Sequence, residues 1–153
     1  MILILYYFFF FSDDVRGKPD QIRDEFEESV GMSTYLVAFV VCDFDIVSKV
    51  SEKNVNVSVI AAKDKIQQAD FALQSSAKIM DYYDNFFGVP YPLAKQDLIA
   101  IPEFGAGAME NWGLITYRET SLLYSKEETS AETKQWIAVV IAHELAHQWF
   151  GMF

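Results

Sequence analysis

Residues 131–150 read AETKQWIAVVIAHELAHQWF, and the five residues His143-Glu144-Leu145-Ala146-His147 near their end form the most informative pattern in the chain. The stretch contains no Gly or Pro to break a helix, and Thr129 with Glu132 three residues on predicts a capping-box start. Ile137, Ile141, Leu145 and Trp149 recur every fourth residue as one core-facing stripe, while His143 and His147 share another face with Trp136 and Val140. Four residues turn a helix through about 400°, so the two imidazoles stand about 40° apart and one turn from each other. That spacing lets both rings grip one metal ion, with Glu144 placed to take a proton from a water beside them. Two neutral core histidines fit the same spacing, but these are the only two histidines in the chain. With apolar residues nearly all round its axis, the helix is expected to lie buried in a body larger than this chain offers.

Working backwards, Gly105-Ala106-Gly107-Ala108-Met109-Glu110-Asn111-Trp112-Gly113 lies between two strand-like runs at 97–101 and 114–117. It predicts a loop or sheet edge whose small side chains let an extended peptide approach and pair by strand addition. A carboxylate beside such an edge suits a substrate ammonium, although a Gly-Ala turn with a solvated Glu is the plainer reading of this stretch by itself.

Further upstream, Ile66, Ala69, Leu73, Ala77, Met80, Tyr83 and Phe87 recur at three- or four-residue intervals, predicting an amphipathic helix with Asp64 as N-cap and Gly88 just past its end. Before it, residues 25–62 alternate β-branched and aromatic side chains, with strand-like runs at 34–41 and 55–60 and a polar turn at 48–54. The change of period near 61–63 predicts an α+β chain in three parts: an unassigned apolar segment and linker over 1–23, the last strands of a β domain over 24–62, and a further part over 63–153, which the resemblance described next identifies as the first part of a catalytic domain.

Gly107-Ala108-Met109-Glu110-Asn111 followed at a distance by His143-Glu144-x-x-His147 resembles the paired signature of the zinc aminopeptidase family that includes aminopeptidase N. The words at 32–39 (MSTYLVAF), 97–102 (DLIAIP) and 141–151 (IAHELAHQWFG) are similar to its oxytocinase branch. The resemblance implies a thermolysin-like catalytic domain in which His143 and His147 hold Zn2+ and Glu144 is the general base. It assigns the substrate α-amine to Glu110, the path of the first substrate residues to Gly107, Ala108 and Met109, and the shape of the loop to Asn111. Family members carry a third zinc ligand, a Glu, on a helix beyond the equivalent of Gly151. The residues through Phe153 supply two ligands, so catalysis by the chain alone is not expected. The implied substrates are peptides with a free N-terminus, and the resemblance allows a homodimer of the intact protein. A thermolysin-like endopeptidase and a truncated, non-catalytic isoform acting as a binding or interfering module are the alternatives, and Glu110 and the missing ligand respectively discriminate them.

The opening MILILYYFFFF has no counterpart in that family. Its eleven apolar residues fall short of the ~20 that cross a bilayer and lack a signal peptide's flanks. A secretory location, lumenal or membrane-anchored, therefore follows from the resemblance alone. Net charge −10 argues against nucleic acid as a partner. Hydrophobic residues make up 52% of the chain, high enough to expect surface that other parts cover. Asn56-Val57-Ser58 fits a glycosylation acceptor, and the single cysteine, Cys42, is expected as a small core residue.

Overall fold

A computed structural model describes residues 2–5, 9–15, 18, 21–26 and 28–151. The elements run β1 (Ile2–Leu5), β2 (Phe9–Asp14), β3 (Ile22–Phe26), β4 (Phe39–Cys42), β5 (Asp45–Val50), β6 (Asn56–Ala61), α1 (Asp70–Phe87), β7 (Lys95–Ile101), β8 (Ala108–Met109), β9 (Leu114–Arg118) and α2 (Ala131–His147). Two antiparallel pairs, β1 with β4 and β2 with β3, precede a five-stranded sheet in the order β5-β6-β7-β9-β8. Within that sheet β6, β7 and β9 are parallel, and the outer strands β5 and β8 are antiparallel to their neighbours. This mixed sheet with two helices makes the chain α+β, as its periodicities imply.

The sheet begins earlier than the change of period suggests. β5 and β6, expected to close a preceding domain, pair through β6 to β7 on the other side of the 61–63 division. The α1 crossover explains why the period changes there: parallel neighbours need a long connection, and a helix supplies it. The first strands fall differently too. Residues 34–41 hold a 3-10 turn at Thr34–Leu36 and only then β4. The turn between β5 and β6 is closed by Ser51, whose Oγ accepts from the amides of Lys53 and Val55, both at 3.2 Å. The apolar N-terminal segment contributes β1 and the first half of β2; residues 1 and 6–8 of it, like Met152 and Phe153, lie outside the described residues.

Both helix starts differ from expectation. Asp64 does not cap α1: a 3-10 turn at Ile66–Gln68 intervenes, and the Gln68 carbonyl accepts from the Tyr124 amide at 3.0 Å instead of from the first turn of the helix. The far end is as expected, with Gly88 in the left-handed region at φ 66°. On α2 the cap is Ser130, whose hydroxyl accepts from the Thr133 amide at 3.1 Å. Thr129 is committed elsewhere, its Oγ1 accepting from the Ser125 amide at 3.1 Å.

The main core lies between the helices and one face of the sheet. Ala69, Leu73, Ala77 and Met80 of the α1 side meet Val57, Val59, Leu98, Ile115 and Tyr117 of the sheet and Ile137, Ile141 and Leu145 of α2. Tyr83 Oη donates to the Ala142 carbonyl at 3.1 Å, and Trp149 Nε1 donates to the Val89 carbonyl at 2.7 Å. Trp149 also packs among Tyr83, Phe87 and Tyr91. The C-terminal end of α2 is thereby pinned at two levels. The opposite face of α2 is open, with Trp136 57% and Val139 52% exposed and Phe150 beyond its end 76% exposed, so the all-round burial expected for this helix does not occur within the chain. Cys42 is free and half-buried against a second cluster around Ile60, Ile99 and Leu114. At the glycosylation triplet, Asn56 is exposed but Ser58 is buried in β6 and bonded to Ser48 Oγ at 3.1 Å.

Candidate active site

α2 presents His143 and His147 on its open side and Glu144 inward. The imidazole rings stand edge to face, with Nε2 to Nε2 at 3.2 Å, the donor being set by tautomer. Two ligands bonded at 2.0–2.1 Å to one tetrahedral zinc would stand about 3.3 Å apart, so the helix already holds these nitrogens at a chelating separation. Glu144 is only 7% exposed, and its Oε2 has no hydrogen-bond partner among the described residues. Burial, reinforced by the negative charge of Glu110 and opposed by His147, pushes its pKa up from an ordinary 4.5 to about 7. An orphaned carboxylate oxygen beneath two converging imidazole nitrogens fits a metal and its water. Among the described residues no group of three or more His, Cys, Asp and Glu side chains able to hold a metal is present.

Glu110 enters from the sheet. It follows directly on β8, the last strand in the sheet order, where Ala108 pairs with Tyr117 and Met109 with Thr116 of β9. Gly107, Ala108, Met109 and Glu110 therefore run along the last strand of the described sheet toward α2, and Glu110 is close enough to raise the Glu144 pKa. Gly105 and Gly107 have no left-handed backbone that would demand glycine. A Cβ on Gly105 would meet nothing within 4 Å, and one on Gly107 only Ser121 Oγ at 3.9 Å. Neither strain nor internal packing explains these glycines.

The loop is held by side chains on both sides. Asn111 is buried; its Nδ2 donates to the Leu36 carbonyl at 3.2 Å, and its Oδ1 accepts from Thr116 Oγ1 at 2.9 Å. Gly113 stands at φ 84°, and its carbonyl accepts from the Asp97 amide at 3.0 Å and from Lys95 Nζ at 3.1 Å.

Three further residues belong to this constellation without any motif to announce them. Arg118 donates to the carbonyls of Phe104 at 3.0 Å and Gly105 at 2.7 Å, folding the start of the loop. Tyr117 is fully buried, its hydroxyl has no partner among the described residues, and burial with the nearby charge of Glu144 drives its pKa well up. Gln148 is fully buried and touches both halves of the site. Its position one turn after Glu144 was readable; its partners across the fold were not.

Two histidines one helical turn apart, a buried carboxylate between them and a second carboxylate at a neighbouring sheet edge are the arrangement of a peptidase site. Residues 71–153 match the peptidase family M1 domain, and the chain belongs to this family, in the branch of the endoplasmic reticulum aminopeptidases. It is 58% identical over 130 residues to endoplasmic reticulum aminopeptidase 1 of Mus musculus, covering 85% of this chain and 14% of the relative. Endoplasmic reticulum aminopeptidase 2 of Homo sapiens is likewise 58% identical over 130 residues, with the same shares of the two chains, 85% and 14%. Glutamyl aminopeptidase of Bos taurus is 50% identical over 129 residues, 84% of this chain and 14% of the relative. The chain thus spans about one-seventh of the length of these relatives.

Proposed function

We propose that these residues form part of a zinc aminopeptidase site that releases N-terminal residues from peptides. His143 and His147 would hold the metal. Bound there, zinc would acidify its water and polarise the scissile carbonyl. Glu144, held above its ordinary pKa, takes the proton of the attacking water and returns it to the leaving amine. Glu110 pairs with the substrate α-ammonium, and because it stands just past the end of β8 it limits cleavage to the first peptide bond. Gly107, Ala108 and Met109 line the path of the first substrate residues, and Asn111 fixes the loop through Leu36 and Thr116.

The observation that carries this reading is the pair of Nε2 atoms 3.2 Å apart on one helix, with a buried carboxylate on the same helix that feels both His147 and Glu110. Within the intact protein we place the boundary of the catalytic domain between β4 and β5, because β5 is the first strand of the five-stranded sheet. Secretory-pathway location, lumenal or membrane-anchored, and a homodimer of the intact protein belong to the same proposal, supported in the first case by the names of the relatives. Among the described residues no helix is long and apolar enough to cross a membrane.

The test uses an enzyme reconstituted by setting this segment in place of the matched segment of the mouse relative. Glu144→Gln there should keep full zinc content while kcat falls by a factor of about 10² or more. Zinc lost in proportion to activity would make Glu144 structural, and wild-type turnover would remove it from the reaction.

A further inference from the structure

Glu110 and Glu144 sit on different elements, one in the loop that follows β8 and the other on α2. Something must fix their separation. The described residues provide one side chain that bonds to the main chain of both. Gln148 Nε2 donates to the Glu110 carbonyl and to the Glu144 carbonyl, each at 3.3 Å. Its Oε1 accepts from the Gly113 amide at 3.3 Å, closing the loop that Glu110 begins. The carboxamide thus has both N–H groups and its oxygen engaged, in a side chain with no exposure to solvent.

We infer that Gln148 is a positioning residue that sets the distance from the amine-binding carboxylate to the metal helix, and so sets how strictly the enzyme requires a free N-terminus. The inference rests on the aminopeptidase reading above. Each bond is long and individually modest; two of them, to the Glu110 carbonyl and from the Gly113 amide, join the end of α2 to the loop, the third ties the carboxamide back to Glu144 within α2, and only a group with two donors and an acceptor satisfies all three. Aliphatic packing cannot replace that, because it has no direction. The consequence is specific to one substrate end: with Gln148 lost, Glu110 moves relative to the helix, while His143, Glu144 and His147 keep their mutual geometry, which the helix itself dictates.

The experiment measures kcat and KM in the reconstituted enzyme for one peptide with a free and with an acetylated N-terminus. A wild-type enzyme that does not prefer the free amine overturns the aminopeptidase reading itself. With that preference present, Gln148→Met, of similar length but without hydrogen bonds, should lower the free-over-acetylated ratio of kcat/KM by roughly tenfold. The loss should appear mainly as raised KM for the free peptide, with zinc content and the slow rate on the acetylated peptide retained. Gln148→Glu keeps the acceptor toward Gly113 but loses both donors, so it should lower the ratio likewise; it decides the matter if the Met variant does not fold. An unchanged ratio in a folded variant, or equal losses on both peptides, would overturn the positioning role.

Discussion

Replacing Glu144 by Gln should change the pH dependence of folding of the metal-free chain more than its stability at any single acidic pH. Glu144 moves from an ordinary 4.5 to about 7 on folding, so the native state holds its proton more tightly than the unfolded chain. The stability from this group is fully present below pH 4.5 and is lost as pH rises through about 7. At about 1.4 kcal/mol per pH unit, the full difference is about 3 kcal/mol, reduced to about 2 by water reaching the carboxyl from the open side of the helix. Gln cannot titrate, so the variant should match wild type near pH 4.5 and exceed it by about 2 kcal/mol at pH 8. Urea melts in the presence of a chelator, at half-unit steps from pH 4.5 to 8, measure the two slopes. Parallel wild-type and variant curves would refute the reasoning, since burial beside Glu110 would then exert no cost on the carboxylate.

Other substitutions probe the frame that holds the site. Tyr117→Phe removes a buried hydroxyl without a partner among the described residues and should leave the chain unchanged or stabilise it by about 1 kcal/mol in thermal melts; a loss of more than that would mean the hydroxyl has a partner. Ser130→Ala deletes the cap of α2 and should cost about 1 kcal/mol, whereas Thr129→Ala should cost less, because Thr129 does not cap the helix. Zinc binding by the 153-residue chain, followed by calorimetry, should be far weaker than that of the reconstituted enzyme, because the described residues hold no group of three metal-binding side chains; sub-nanomolar affinity would contradict this.

Features set by local geometry were legible in the sequence. Periodicity four along residues 131–150 was enough to put Ile137, Ile141 and Leu145 in the core and the two imidazoles together on another face. The sheet edge at Ala108–Met109 was legible because small residues between two strands leave little else. Caps were missed by one residue at α2 and by more at α1, where long-range bonds from Tyr124 and within the 125–129 turn override local propensity. A change of period such as that near 61–63 marks a change of element, and a crossover helix inside a sheet makes the same change as a domain border, so the pairing of β6 with β7 across it was not legible. Gln148, Tyr117 and Arg118 stayed hidden for a related reason: their roles depend on partners 4 to 38 residues away.

The most direct measurement concerns Glu110, to which the proposal assigns the restriction to a free N-terminus. Glu110→Gln in the reconstituted enzyme weakens a charge-assisted hydrogen bond of about 1.5 to 3 kcal/mol, equivalent to roughly 10- to 100-fold in kcat/KM. Measured on one peptide in free and acetylated forms, with wild type and variant, the four rates form a cycle that isolates the coupling between the carboxylate and the amine. The expected result is a loss of roughly 10- to 100-fold on the free peptide and almost none on the acetylated one. Equal losses on both would mean that Glu110 only supports the loop, and an endopeptidase with the same metal helix would then describe the site better.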